Sequence, residues 1–263
     1  MKQNNRIIYA VLNAVFYIGT VTVGILANTL PINGVTTGEL SAKYPNLFVP
    51  SSITFAIWGL IYLLLGVFVV YQFAALFSKK IGNTAFIEKI GPFFIFASIF
   101  NIAWLFIWHN QVVWLSFITI TLLLVSLIFL YLRLGIGKTG FTKPERIFLQ
   151  MPISVYLGWV TVAVIANATA LLVDLGWQGG GLTEEFWTVV MVVIAGLLTL
   201  YIVMTRNDVP YGLTVAWALL GIIMKRFSGS GPAEISIVVA ASIMIFLIIV
   251  LSSFKAAKKR IYR

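Results

Sequence analysis

Residues 101–110 read NIAWLFIWHN, an apolar run in which Asn101, Trp104 and Trp108 recur at intervals of three and four. On a helix that spacing places the three side chains on one face. The run ends at His109, the chain's one histidine, followed by Asn110. An amide flanked by indoles is an unusual filling for a stripe that leucine could occupy, so the surroundings of that face decide its meaning. The chain has 263 residues, of which 60% are hydrophobic and 10% charged, with a mean hydropathy of +1.02. Soluble domains of this size carry about a quarter charged residues. The composition is that of an integral membrane protein.

A spanning helix needs about 20 apolar residues. Working outward from 101–110, such runs fall at 7–29, 52–77, 90–108, 112–133, 148–173, 186–205, 209–225 and 234–254. They predict an all-α protein with eight transmembrane helices. The seventh is short and opens at Pro210. The first is too long for a secretory signal, and no small-residue cleavage site stands out. With both termini placed in the cytoplasm, fifteen of the 18 Lys and Arg residues fall inside and only Lys43, Lys225 and Arg226 outside. That bias fits the positive-inside rule.

The same distribution assigns the formal charge of +10 to topology and excludes nucleic acid as a partner. The absence of cysteine excludes a disulfide framework, a zinc site and a thiol nucleophile, and one histidine excludes the common clustered metal sites. All eight acidic residues fall in loops or at helix ends, whereas ion-coupled carriers keep an ionisable group inside the bilayer. No Ser/His/Asp set or carboxylate pair suggests catalysis, so the reading is a non-enzyme. The stretch GWQGGGLTEE (176–185) reads as a non-cytoplasmic loop joining two helical sets. It has no lysine and no phosphate-loop spacing, which excludes a nucleotide site.

Other helices carry stripes like that of 101–110. Phe55, Trp58 and Tyr62 stand at i, i+3 and i+7 on the second; Tyr156, Trp159, Ala163 and Asn167 stand at i, i+3, i+7 and i+11 on the fifth. Asn13 and Tyr17 extend the pattern to the first. An amide facing hydrocarbon is left unpaired at a cost, so these faces turn inward. They would line a pocket open to the non-cytoplasmic side under the 30–51 loop. Helix packing accounts for the spacing equally well. Trp108, Trp114, Trp177 and Trp187 flank outer loops and are assigned to an interfacial aromatic belt, with His109 beside them.

Three segments carry a family resemblance. FVPSSITFAIWGLIY (48–62) resembles an aromatic and proline pair followed by F-x-x-W-x-x-x-Y, NIAW (101–104) resembles N-x-x-W on a third helix, and YLGWVTVAVIAN (156–167) resembles a fifth-helix Y-x-x-W-V with a later Asn. Together, in order and on the matching helices, they resemble the translocator protein or tryptophan-rich sensory protein family, TspO/MBR. The resemblance covers roughly 5–175. It implies a TspO-like five-helix transmembrane bundle over 1–175, often a homodimer, with a three-helix transmembrane extension over 176–263 as in long bacterial members. It places the chain in the bacterial cytoplasmic membrane.

The resemblance further implies a sensor, carrier or transporter for a porphyrin or other tetrapyrrole-like hydrophobic ligand. Protoporphyrin or haem would be the bound molecule, with no required cofactor. The family's pocket positions fall on Trp58, Tyr62, Asn101, Trp104, Tyr156, Trp159 and Asn167, with Phe55 and the loop aromatic Phe48 beside them. The chain departs from the pattern at Phe48, where tryptophan is common, at Ser51 in place of a second proline, and at Val155 in place of a proline. The alternatives are an uncoupled small-molecule facilitator using all eight helices, or a pigment-modifying membrane enzyme.

Overall fold

The computed structural model describes residues 3–29, 32–78, 83–138, 140–227 and 234–261. Lys2, Lys79, Lys80 and Arg263, four of the cations used to orient the chain, lie outside the described residues. Among the described residues there are eight long helices: α1 (Gln3–Thr29), α2 (Ile57–Phe77), α3 (Phe93–His109), α4 (Val113–Leu134), α5 (Met151–Asp174), α6 (Glu184–Arg206), α7 (Val209–Phe227) and α8 (Ile235–Ile261). No strand occurs among the described residues.

The protein is an all-α integral membrane protein. Six of the eight helices are long and apolar enough to cross a bilayer by themselves. The two others are α3, with 17 residues, and α7, with 19. At 1.5 Å per residue, α3 reaches about 25 Å, a little short of the hydrocarbon thickness. Large apolar side chains are left on the outer faces, among them Leu63 and Val70 at 66% exposure. In water such faces would be a liability; in hydrocarbon they are the wetted surface.

Contacts divide the chain into two compact units. The first comprises residues 1–36 and 57–157 and holds α1 to α4 with the start of α5. Lipid supplies no hydrophobic drive between helices, so close backbone approach and internal hydrogen bonds hold them together. In the α1–α2 pair, Gly24 receives the Tyr62 side chain and Gly66 receives that of Tyr17. The Tyr17 hydroxyl donates to the Tyr62 carbonyl at 3.1 Å, and Asn13 Nδ2 donates to Gln72 Oε1 at 2.8 Å with both residues fully buried. On α4, Thr119, Thr121 and Ser126 satisfy their hydroxyls on carbonyls four residues back.

Charge collects at one end of this unit. Arg6 Nε donates to Glu88 Oε1 at 2.7 Å and its Nη1 to Thr84 Oγ1 at 2.7 Å. Arg133 reaches the Glu88 carbonyl at 3.2 Å and covers the Phe93 ring at 5.3 Å. At the other end α3 turns into α4 through Asn110 and Gln111, the latter at φ 58°, and Asn33 Nδ2 donates to the His109 carbonyl at 3.0 Å.

The second unit comprises residues 37–56 and 158–263 and holds the rest of α5 with α6, α7 and α8. Asn207 in the left-handed region (φ 53°) ends α6, and Asp208 Oδ1 accepts the Tyr211 N–H at 3.2 Å to start α7. Gly158 meets the Tyr211 carbonyl, and Gly212 fits against Val203 and Ile248. The segment 37–56 is fastened to α7: Ser51 N–H donates to the Gly221 carbonyl at 2.9 Å and Trp217 Nε1–H to the Thr54 carbonyl at 3.1 Å. Leu47 N–H donates to Glu184 Oε1 at 2.6 Å, at the start of α6. Of the two cations at the end of α7, Arg226 is partly neutralised, with Nη1 3.5 Å from Glu234 Oε2.

Candidate functional site

Within the first unit, α2, α3 and the start of α5 bring five of the nine expected site residues together. Trp58 stacks on Tyr62, with centroids 5.7 Å apart and planes at 28°, and on Trp104 at 5.8 Å and 29°. Tyr156 meets Trp58 edge-on at 6.1 Å. The helical repeat produces this row: Trp58 and Tyr62 are one turn apart on α2, and Trp104 projects from the facing side of α3. Every ring is at most 8% exposed.

The fifth residue, Asn101, sits one turn before Trp104 and is fully buried. Its amide lies beside the Tyr156 hydroxyl. The amide and the hydroxyl face each other and meet no other hydrogen-bond partner, so a buried polar pair adjoins the ring stack with most of its bonding capacity unmatched. Protein interiors rarely leave such groups unmatched, since each costs about 1–3 kcal/mol. Together the rings and the polar pair form a surface for a flat apolar molecule with a polar edge.

The remaining four residues belong to the second unit. Trp159 is 3% exposed and meets Phe55 edge-on at 5.7 Å and 83°. Asn167 is 5% exposed and turns Nδ2 back to the Ala163 carbonyl at 3.0 Å. Phe48 is fully buried in the loop, whose turn is held by Asn46, with Oδ1 accepting the Phe48 N–H at 3.1 Å.

Three expectations are corrected. Phe55 precedes the α-helical part of α2 that carries Trp58 and Tyr62; it belongs to a 3-10 turn, Ser52–Ala56, that leads into it, and its ring meets Trp159 instead. Trp108 is not a belt residue: it is 3% exposed and stacks on Trp104 at 6.4 Å and 16°, extending the row. His109 is fully buried, with Nδ1 2.8 Å from the Leu105 carbonyl, and does not present its ring on an outer surface. The signal for Trp108 was its place at i+4 from Trp104. Trp114, at 56% exposure, is placed as a belt residue would be.

A cavity of about 520 Å³ lies in the second unit, at the end of α5 and the start of α6. None of the nine expected residues lines it.

A family model described as TSPO-like protein matches residues 10–254, a range that runs through all eight helices. Among curated proteins and solved structures, nothing matches.

Proposed function

This chain belongs to the TSPO-like protein family, and from that premise we propose that it binds a porphyrin-like hydrophobic ligand as a sensor or carrier. Its setting is a bacterial cytoplasmic membrane with both termini inside. The observation that carries the reading is the buried polar pair of Asn101 and Tyr156, with no polar partner but each other, beside the stacked rings. A tetrapyrrole supplies what this surface lacks: an extended π face for Trp58 and Trp104, and a polar rim for the amide and hydroxyl. Trp108 and Tyr62 extend the stacking surface at either end of the row.

The rings occupy one another's faces in this structure. A flat ligand seated between Trp58 and Trp104 needs roughly 7 Å between planes, two van der Waals layers. Binding therefore exchanges ring–ring contacts for ring–ligand contacts at a cost of separating α2 from α3. Tryptophan emission reports this directly, because an inserted porphyrin quenches both indoles. Titrating protoporphyrin into the purified chain should give saturable quenching at micromolar concentration, and any pigment that co-purifies should compete with it. Unsaturable quenching would leave the stripes as helix packing.

A further inference from the structure

The cavity in the second unit has walls of a different character. Trp177 and Trp187 stand with centroids 5.4 Å apart and planes at 59°, so they present two inclined indole faces. Trp187 is fixed, since its Nε1–H donates to the Gly179 carbonyl at 2.9 Å. That carbonyl is delivered by three consecutive glycines at φ 76°, 60° and 87°, a conformation that only glycine adopts without strain. Leu172 and Met191 close the apolar sides.

One formal charge lines the space, and it is negative. Glu184 Oε1 is engaged by the Leu47 N–H at 2.6 Å, which holds the carboxylate at the rim. Its second oxygen has no hydrogen-bond partner among the described residues. No lysine or arginine lines the cavity. A volume of about 520 Å³ falls within the range of pockets that take small organic molecules.

We propose that this cavity is a second ligand site, for a hydrophobic organic cation. Each feature selects for that class. Indole faces attract a cation through the ring quadrupole, the carboxylate pairs with it, and the apolar walls take its hydrocarbon body. An anion of the same shape meets the Glu184 carboxylate with no lysine or arginine in the lining to pair with it. The site is independent of the Trp58–Trp104 row and takes the opposite charge from a porphyrin carboxylate.

Tetraphenylphosphonium and tetraphenylborate test this, being alike in size and shape and opposite in sign. With the full-length protein in micelles of an uncharged maltoside detergent, so that no lipid charge favours either ion, tetraphenylphosphonium should bind saturably, and tetraphenylborate at least tenfold more weakly. Glu184→Gln keeps an acceptor for the Leu47 N–H yet removes the charge. It should cost about tenfold in cation affinity and abolish the discrimination, and Trp177→Ala should cost about tenfold as well. Trp104→Ala should leave cation binding unchanged, which separates this site from the proposed porphyrin surface. Adding phosphatidylcholine should not alter the affinity; competition by it would assign the pocket to a choline headgroup and overturn the free-ligand reading. Equal binding of the two ions, or cation binding indifferent to Glu184→Gln, would overturn the site.

Discussion

The Tyr62 side chain rests on Gly24, filling the space where any larger residue's Cβ would stand. Tyr62 is also the outermost ring of the stack that passes through Trp58 to Trp104. The glycine on α1 therefore sets the position of a ring on α2 that borders the candidate ligand surface. Gly24→Ala should force the tyrosine aside, and overpacking of this kind costs about 1–3 kcal/mol. The expected outcome is a lower melting temperature together with weaker porphyrin quenching. Gly59→Ala is the control, because a Cβ at Gly59 meets open space. Equal losses from both substitutions would detach Gly24 from the stack.

A second prediction concerns the fastening of 37–56 to α7. Trp217→Phe keeps most of the aromatic bulk and removes the indole N–H that reaches the Thr54 carbonyl, and losing that bond costs about 1 kcal/mol. Gly221→Val strikes Thr54 directly. Both should raise the rate of proteolysis between 43 and 51, Gly221→Val more strongly, while helix content by circular dichroism stays constant. Unchanged cleavage would mean that Ser51 and Leu47 suffice to hold the segment.

The helices were legible because hydrocarbon thickness imposes one length on each apolar run, and all eight expected runs correspond to long helices. The row Trp58–Trp104–Tyr156 was legible because the helical period alone sets which residues share a face. The 3-10 winding of Ser52–Ala56, which carries Phe55 into the start of α2, is not legible, because periodicity assumes 3.6 residues per turn and nothing local announces the tighter turn. The Ser51–Gly221 and Trp217–Thr54 bonds join segments more than 160 residues apart. Such pairings have no local pattern. The 520 Å³ cavity escaped for a related reason, since Trp177 and Trp187 near a loop carry the same signature as an aromatic belt.

The Arg6–Glu88 pair supplies a pH prediction. The hydrogen bond from the Arg6 guanidinium holds the Glu88 carboxyl below its ordinary value of 4.5. A carboxylate whose folded pKa is depressed contributes stability above its unfolded pKa and loses it as pH falls through the folded one. The difference in melting temperature between the native protein and Arg6→Gln should therefore be constant above pH 5 or so and shrink below 4.5. Because both side chains are about one-quarter exposed, added salt should reduce it too. A difference independent of pH would assign the effect of Arg6 to its bond with Thr84.

Asn101 offers a separation of stability from binding. Its amide meets the Tyr156 hydroxyl and no other polar group, so Asn101→Leu removes a largely unmatched polar group and gives up at most that one contact. The variant should be as stable as the native protein or more so, by about 1 kcal/mol. Porphyrin affinity should nevertheless fall, because the amide is the group assigned to the ligand's polar edge. A destabilised variant would indicate that Asn101 already bridges helices, and the polar pair would then be structural.

The most direct test of the ligand surface compares two tryptophans on adjacent helices. Trp104 is 3% exposed and lies between Trp58 and Trp108, whereas Trp114 is 56% exposed on the outer face of α4. Truncating a buried aromatic anchor costs upward of ~2 kcal/mol of binding, or roughly thirtyfold in affinity. Trp114→Ala removes no ring of the stack and should change porphyrin affinity less than about twofold. Trp104→Ala also leaves a cavity in the bundle, so its melting temperature must be measured beside its affinity. Trp104→Phe controls for this by restoring most of the volume, and it should recover part of the affinity through the smaller ring. If Trp104→Ala and Trp114→Ala weaken quenching equally, the porphyrin sits at the lipid-facing surface and the stack serves only to pack α2 against α3.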